Sequence, residues 1–565
     1  MLHHARTRFF FALLALTTLG TSVLIYHPRP LLKDDHTRLL EALLARWRHE
    51  PIQTIPSPLP DLIPPRPPFV PPQAEAPPVV IPDFSGSPAI LHTVKSGESI
   101  GGIAYRYLAQ TIFMTSGELE AAVRRANPAW TGTHLRPGQE LLIPGIEPQP
   151  IVEHSVPFAK STEIRAIYLT GLMAGSPHGL EIIRRWKELG GNAIVFDVKD
   201  MDGIVSMAFD NPLAPKIRRS YIHNLPKFTR FLHRLGLHAI ARIALFRDAY
   251  IAEHHPELAV HSRRTGSPWR ENGKLVWTDP SRREVQDYNL ALAKRAAASG
   301  VDEVQFDYVR FPAEGDQGDA QFLFQSEQPV VTRAQVITDF LQRAYAELHP
   351  LGVLVSLDVF GVMAWQRPVD LAHTGQDIVE LARHCDVLSP MVYPSHFFGM
   401  DGFARPGDAP EHFISTSMER FRKITEGTNV VLRPWLQAFA WRTKTYSPGY
   451  ILTQVNIARQ NGGIGYLFWN ARNDYSAPFI AMREMHSTAQ RQPPSARTGP
   501  AVAAGLPVVV STTNVPDPAG PETASRQTSA PTPERASPAK KPANNRSSGA
   551  ENPPAAPASN VIPQH

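Results

Sequence analysis

Between residues 164 and 486 one pattern recurs eight times: a short apolar run that reads as a strand, then a stretch with apolar residues at helical spacing. The runs are 165–170, 193–198, 238–245, 303–308, 353–359, 386–393, 430–437 and 465–469. The intervening stretches, such as LEIIRRWKELG and VITDFLQRAYAELH, carry an apolar stripe with polar residues on the other face. A strand buried on both faces, followed each time by an amphipathic helix, has few stable solutions. Eight such units over this length predict an α/β fold, a parallel (β/α)8 TIM barrel. A doubly wound open sheet also alternates. It usually carries a glycine-rich nucleotide turn, and neither GxGxxG after the first run nor a phosphate-loop GK[ST] occurs here.

The rest of the chain is organised around that barrel. Of 565 residues 55 are proline, clustered outside the segments that read as folded. Residues 1–32 read as a cytoplasmic flank and membrane signal-anchor: Arg6 and Arg8 precede an apolar stretch from Phe9 to Tyr26, about long enough to cross a bilayer core. A cleaved signal peptide is the alternative, though no clean small-x-small site follows. Residues 33–50 place Leu39, Leu40, Leu43, Leu44 and Trp47 at helical spacing, as expected of a juxtamembrane helix. Residues 51–91, with PPRPPFVPPQAEAPP, predict an extended polyproline linker. Residues 92–145 read as a compact module, 146–163 as a second linker, 164–486 as the barrel and 487–565 as a disordered Pro/Ala/Ser-rich tail. A net charge of +5 is mild for this length and gives no reason to expect a nucleic-acid partner. The single cysteine, Cys385, opens an apolar run and predicts a buried thiol, with no disulfide possible within the chain.

The module opens with HTVKSGESIGGIAYRY, a strand and a turn with Ser99 placed to cap a helix starting at Ile100. A second helix over 116–126 stops at Asn127-Pro128, and LRPGQELLIP gives a turn and a second strand. These residues resemble the LysM family and its βααβ fold, with extra length at 109–116. The resemblance implies binding of N-acetylglucosamine-containing, peptidoglycan-type glycans between the two strand–helix turns. It would use Gly97, Glu98, Ser99 and Ile100 on one side and Leu135, Arg136 and Pro137 on the other.

In a parallel barrel the chemistry sits where strands end. IVFDVKD places Asp197, Lys199 and Asp200 there, VQFDYVRFP places Asp307 and Arg310, and LVSLDVFG places Asp358. Strand alternation puts Gln305 and Asp307 on one face and Ser356 and Asp358 on the matching face of the next barrel strand. Two carboxylates at one mouth suit glycosidic cleavage: one, protonated, gives a proton to the leaving oxygen, and the other, ionised, attacks carbon or activates water. Their order stays open. Later strands add Tyr393 and His396, Arg433, Trp435 and Gln437, then Trp469, Asn470 and Asn473. Aromatic faces stack on sugars while amides and charges hold hydroxyls. Asp197, Lys199, Asp200, Arg310, Tyr393, His396, Trp435, Gln437, Trp469 and Asn470 are therefore the expected substrate-binding residues. No metal site or cofactor is expected, because HxH and HExxH are both missing.

The segments FDVKD, WTDPS, VQFDYVRFP, SLDVFG, SPMVYPSHF, RPWLQAF and WNARNDYS resemble a bacterial family of proposed glycosyl hydrolase barrels. The family is distantly similar to α-amylase-like barrels and to barrels that cut poly-N-acetylglucosamine. The resemblance implies a catalytic acid at Asp307 and a second at Asp358, where this chain has Asp rather than Glu. The expectation is a hydrolase of a cell-envelope or exported polysaccharide, inner-membrane anchored and facing the periplasm. The alternatives are a non-catalytic carbohydrate-binding scaffold and an organiser of envelope assembly acting through the proline arm and tail.

Overall fold

The structure, a computed structural model, describes residues 82–491 apart from residue 133 and residues 217–219. The expected signal-anchor, the juxtamembrane helix, most of the proline-rich linker and nearly all of the tail lie outside the described residues. Among the described residues no helix is long and apolar enough to cross a membrane.

The small module is built from β1 (Ile90–Thr93), helices Ile100–Tyr107 and Ser116–Ala126, and β2 (Glu140–Ile143). Its first strand begins at Ile90, two residues before the expected boundary. β1 and β2 pair antiparallel, His92 opposite Leu141. Local chemistry sets each helix start. The Ser99 hydroxyl accepts from Gly102 N at 3.1 Å, and Thr115 and Glu118 form a reciprocal capping box. Asn127 does more than stop its helix. Its side chain donates to Val123 O (2.7 Å) and Leu142 O (2.9 Å) and accepts from Leu142 N (2.9 Å), tying the helix end to β2. A core of Ile103, Phe113, Leu119, Val123, Leu141 and Ile143 closes the module.

The barrel strands are β3 (Ile164–Leu169), β4 (Ala193–Lys199), β5 (His238–Ala244), β7 (Glu303–Asp307), β9 (Leu354–Phe360), β10 (Val387–Met391), the split pair β11 (Val431–Leu432) and β12 (Trp435–Gln437), and β13 (Gly465–Trp469). Each pairs in parallel with the next, and β13 returns to β3, closing the ring. A two-residue antiparallel pair, β6 (His261–Ser262) with β8 (Ala320–Gln321), lies outside the ring. The seventh barrel strand was expected unbroken. Arg433-Pro434 interrupts it, because proline has no N–H for the ladder.

Alternation along each strand separates two interiors. Ile167, Leu169, Ile194, Phe196, Val304, Phe306, Val355 and Leu357 face the helices and belong to the large apolar core. Ala166, Tyr168, Val195 and Ile240 line the lumen. The same lumen parity carries His238, Arg242, Glu303, Gln305, Asp307, Ser356 and Asp358, all buried. Low in the barrel, Arg433 clasps both oxygens of Glu303 (2.9 and 2.8 Å), and His238 Nε2 donates to it at 3.2 Å. Burial works against the charge on Glu303, but Arg433 and His238 outweigh it and hold its carboxyl down at about 2.

Residues 146–163, expected as a linker, are fitted to the barrel base. Val156 N donates to Asp302 (2.7 Å), Phe158 N to His238 (3.3 Å), and the Phe158 ring lies 5.4 Å from that imidazole. The small module docks on the barrel helices Pro177–Glu188 and Leu225–Arg234. Arg184 bonds the buried Glu118 at 2.5 Å, Arg230 pairs with Glu147 at 3.1 Å, and Lys227 donates to Leu108 O. Burial brings the Lys227 ammonium down to about 8. Cys385 is buried, as expected, and burial raises its thiol.

Candidate active site

A cleft of about 300 Å³ opens at the carboxyl ends of the barrel strands, and Asp307 and Asp358 both line it. They stand at matching heights: Gln305 and Phe306 of β7 pair with Ser356 and Leu357 of β9, and each aspartate is the next residue. A larger depression of about 440 Å³ near Lys160, Cys385 and Asp386 lies at the other end of the strands and gathers no comparable set of groups.

The two aspartates have opposite surroundings. Asp307 Oδ2 accepts from Arg242 Nε (3.1 Å) and Nη2 (2.7 Å), and Oδ1 accepts from Tyr308 N at 2.6 Å. Tyr308 carries that contact on a left-handed backbone, φ +52°, a conformation costly for a bulky side chain and characteristic of functional turns. The Asp307 side chain is 11 % exposed, so its ion pair leaves it open to the cleft. Asp358 is 1 % exposed. Its Oδ1 accepts from Trp435 Nε1 at 2.6 Å, and its Oδ2 is buried without a partner. Burial, reinforced by the charge of Asp307, pushes the Asp358 carboxyl well above the usual carboxylate range.

Arg242 organises the floor. Besides Asp307 it binds Asp197, and Asp200 at 3.3 Å. Its guanidinium lies 5.1 Å from the centre of the Trp469 ring and 5.5 Å from that of Tyr168. Tyr168 stacks on Trp469 at 4.1 Å, and Trp435 meets Trp469 edge-on at 5.5 Å. The Tyr168 hydroxyl donates to Asp197. Burial raises the Asp197 carboxyl to about 7, against the pull of Arg242. His396 sits by Tyr393 (5.3 Å) and Trp441 (5.1 Å), and burial with nearby Arg442 brings its imidazole down to about 4, leaving it neutral at pH 7.

Of the expected substrate-binding residues, Arg310, Tyr393, His396, Trp435 and Trp469 line the cleft with the two aspartates. Others correct the expectation. Lys199 should share a face with Asp197, but the β4–β5 register shifts between them. The bulge turns Lys199 outward into a fully buried pair with Asp248 at 2.7 Å. Gln437 is buried and spent on Ser395 N (3.1 Å), Phe439 O (2.9 Å) and Thr443 (2.9 Å), which fixes the loop carrying His396. Asn470 donates to Ala438 O and Asp474 O, fixing its own loop. Asp197 and Asp200 act on Arg242 rather than on the open cleft. Arg242 and Tyr168 were missed. The available signal was parity: in HAIARIA the arginine falls on the lumen face, between apolar neighbours.

In the small module Gly97, Ser99, Arg136 and Pro137 are exposed, and Ile100 and Leu135 pack on the core. Hydrogen bonds Val94 N–Gln139 O and Gly138 N–Val94 O, both 2.8 Å, tie the two turns together. Glu98 is corrected. Its carboxylate is occupied by Lys95 N (2.8 Å), His92 (2.8 Å) and Arg106 (2.6 Å), which bring it down to about 2.

Several solved structures are similar to the chain. A hypothetical protein from Ruminiclostridium thermocellum is 33% identical over 34% of this chain and 97% of its own, with a TM-score of 0.31. The PgaB (BpsB) glycoside hydrolase domain from Bordetella bronchiseptica is 16% identical over 58% and 98%, with a TM-score of 0.43. The spore cortex-lytic enzyme SleL from Bacillus megaterium is 13% identical over 70% and 86%, with a TM-score of 0.34. No curated protein matches. Residues 92–144 match the LysM domain model. One family model, described as "Putative glycosyl hydrolase domain", matches residues 166–475, more than half of the chain and inclusive of both cleft aspartates, and the chain belongs to that family.

Proposed function

We propose that the barrel hydrolyses a glycosidic bond in a cell-envelope or exported polysaccharide, with Asp358 as general acid and Asp307 as nucleophile or base. The observation that carries this reading is the contrast between two aspartates on one cleft wall. Burial, the neighbouring charge of Asp307 and an oxygen left without a partner all favour the protonated form of Asp358, the form a donor to the leaving oxygen needs. The Asp307 oxygens accept from a guanidinium and a backbone N–H, which match a negative charge and aim the group into the cleft, as a nucleophile or base needs. Asp358 protonates the glycosidic oxygen while Asp307 attacks the anomeric carbon or takes a proton from the attacking water. Trp469, partly exposed at the cleft, offers a face for a sugar ring beside Tyr393, and the LysM module holds the chain on N-acetylglucosamine-containing glycan. The Phe9–Tyr26 stretch supplies a membrane signal or anchor, which would place the barrel in the envelope.

The test is release of reducing ends from a panel of envelope and exported glycans by the full chain. Asp307→Asn and Asp358→Asn should each lower kcat/KM by roughly 10²–10⁴-fold while the protein stays folded. Full turnover in either folded variant rejects the assignment. Glycan binding with no turnover on any substrate favours the scaffold instead.

A further inference from the structure

Three arginines line the cleft, and two are committed within the protein. Arg242 holds Asp307 and Asp197. Arg367 forms a two-point pair with Asp370 at 2.6 and 3.0 Å. Arg310 differs. It is only 9 % exposed, yet it forms no ion pair among the described residues. One of its five N–H donors reaches Phe311 O at 3.1 Å. Its guanidinium centre lies 4.3 Å from the Phe360 ring centre, 4.9 Å from Trp277 and 5.3 Å from Tyr308.

Aromatic neighbours engage the faces of a guanidinium and leave its edge donors for something else. Withdrawing that charge from water without an anion is costly. Three acids stand in the vicinity and none closes on Arg310; Asp307 is held by Arg242. Glu271 is drawn to Arg247 at 3.8 Å. Glu314 lines the cleft, but burial and the charge of Glu271 raise its carboxyl toward the neutral form. The recess thus presents a preorganised planar cation on the same strand-end loop as Asp307, three residues away.

We propose that the cleft takes a sugar bearing a carboxylate, which Arg310 receives as its missing ionic partner. The substrate class is an acidic glycan, a polyuronate or a strand whose sugars carry an acidic ether substituent. This deepens the hydrolase reading and rests on it for the identity of the cleft as the sugar site.

The test is equilibrium binding by the full chain, read without turnover. The probes are a galacturonate hexamer, peptide-free peptidoglycan strands, the carboxyl-reduced form of each, and chitohexaose as a neutral control. At least one acidic probe should bind about 10- to 100-fold more tightly than its reduced form, the range expected for a charged, desolvated hydrogen-bonded pair. Which one shows the preference identifies the source of the carboxylate. Arg310→Met should abolish the preference, bringing the affinity for the acidic probe to that for its reduced form. Arg310→Lys, which keeps the charge and loses the fork, should retain part of the preference. An unchanged ratio of acidic to reduced affinity in folded Arg310→Met overturns the inference, as does the lack of any acidic preference in the parent chain. The two readings fail separately: acidic preference through Arg310 without reducing-end release rejects only the hydrolase. Equal cleavage of an acidic glycan and its carboxyl-reduced form, unchanged in Arg310→Met, rejects only the acidic substrate.

Discussion

Asp358 is held by one hydrogen bond, and that bond favours its ionised form. Trp435 Nε1 donates to Oδ1 at 2.6 Å. Trp435→Phe removes the donor and raises the Asp358 pKa further. A reaction that needs protonated Asp358 then survives to higher pH, so the alkaline limb of kcat/KM should move up by roughly 1–2 pH units. A pH–rate profile checks this, and a limb that stays put or moves down removes Asp358 from the acid role. The same raised pKa has a stability consequence of definite sign. In the unfolded chain the carboxyl titrates near its ordinary value of about 3.9. The folded protein therefore binds the extra proton above that pH, and stability is lost as pH rises through the higher folded pKa. Asp358→Asn cannot ionise. Its stability relative to the parent should improve steadily above about pH 4, measured by denaturant unfolding across pH. A difference that does not vary with pH would mean that the Asp358 side chain is not protonated in the fold.

At the scale of elements, one bulge decides the fate of a charged side chain. Lys199 is expected in the cleft because it stands at the end of its strand, two residues after Asp197. The register shift in β4 sends it to Asp248, with both side chains fully buried. Lys199→Met strands the Asp248 carboxylate and should cost about 3–5 kcal/mol of stability while leaving glycan affinity of the folded protein unchanged. Thermal unfolding alongside a binding titration separates the two; lost affinity without lost stability would return Lys199 to the cleft. Gln437 and Asn470 teach a related lesson. Each is a polar residue at a strand end, the position where sugar-binding groups were sought, yet each is consumed by backbone groups of its own loop. Type and position cannot distinguish a residue that meets the ligand from one that holds the loop that does. Asp307 and Asp358 were legible because neither bulge nor break intervenes in β7 and β9, so the period of two carries through to the last residue.

For the molecule as a whole, the LysM module is fitted to the barrel flank. Glu118 serves both parts: one oxygen accepts from Met114 N at 2.8 Å in its own helix cap, and the other takes Arg184 of the barrel at 2.5 Å. Arg184→Ala leaves a carboxylate that is 3 % exposed without its cation. The expected cost is about 3–5 kcal/mol, with one calorimetric transition separating into two as the module melts first. One unchanged transition would show that this interface does not couple the two parts. What the chain order alone determined was the sequence of elements, the closed parallel barrel, the βααβ module and the pair of acids at one rim. All of these follow from local periodicity, which is written residue by residue. Tertiary structure alone decided which polar side chains are free. It joined Arg242 to aspartates 45 and 65 residues away, left Arg310 among rings without an anion, and packed the supposed linker against the barrel base. Those outcomes depend on which groups from distant segments meet in a space with no water to substitute for a partner, and no local pattern encodes that.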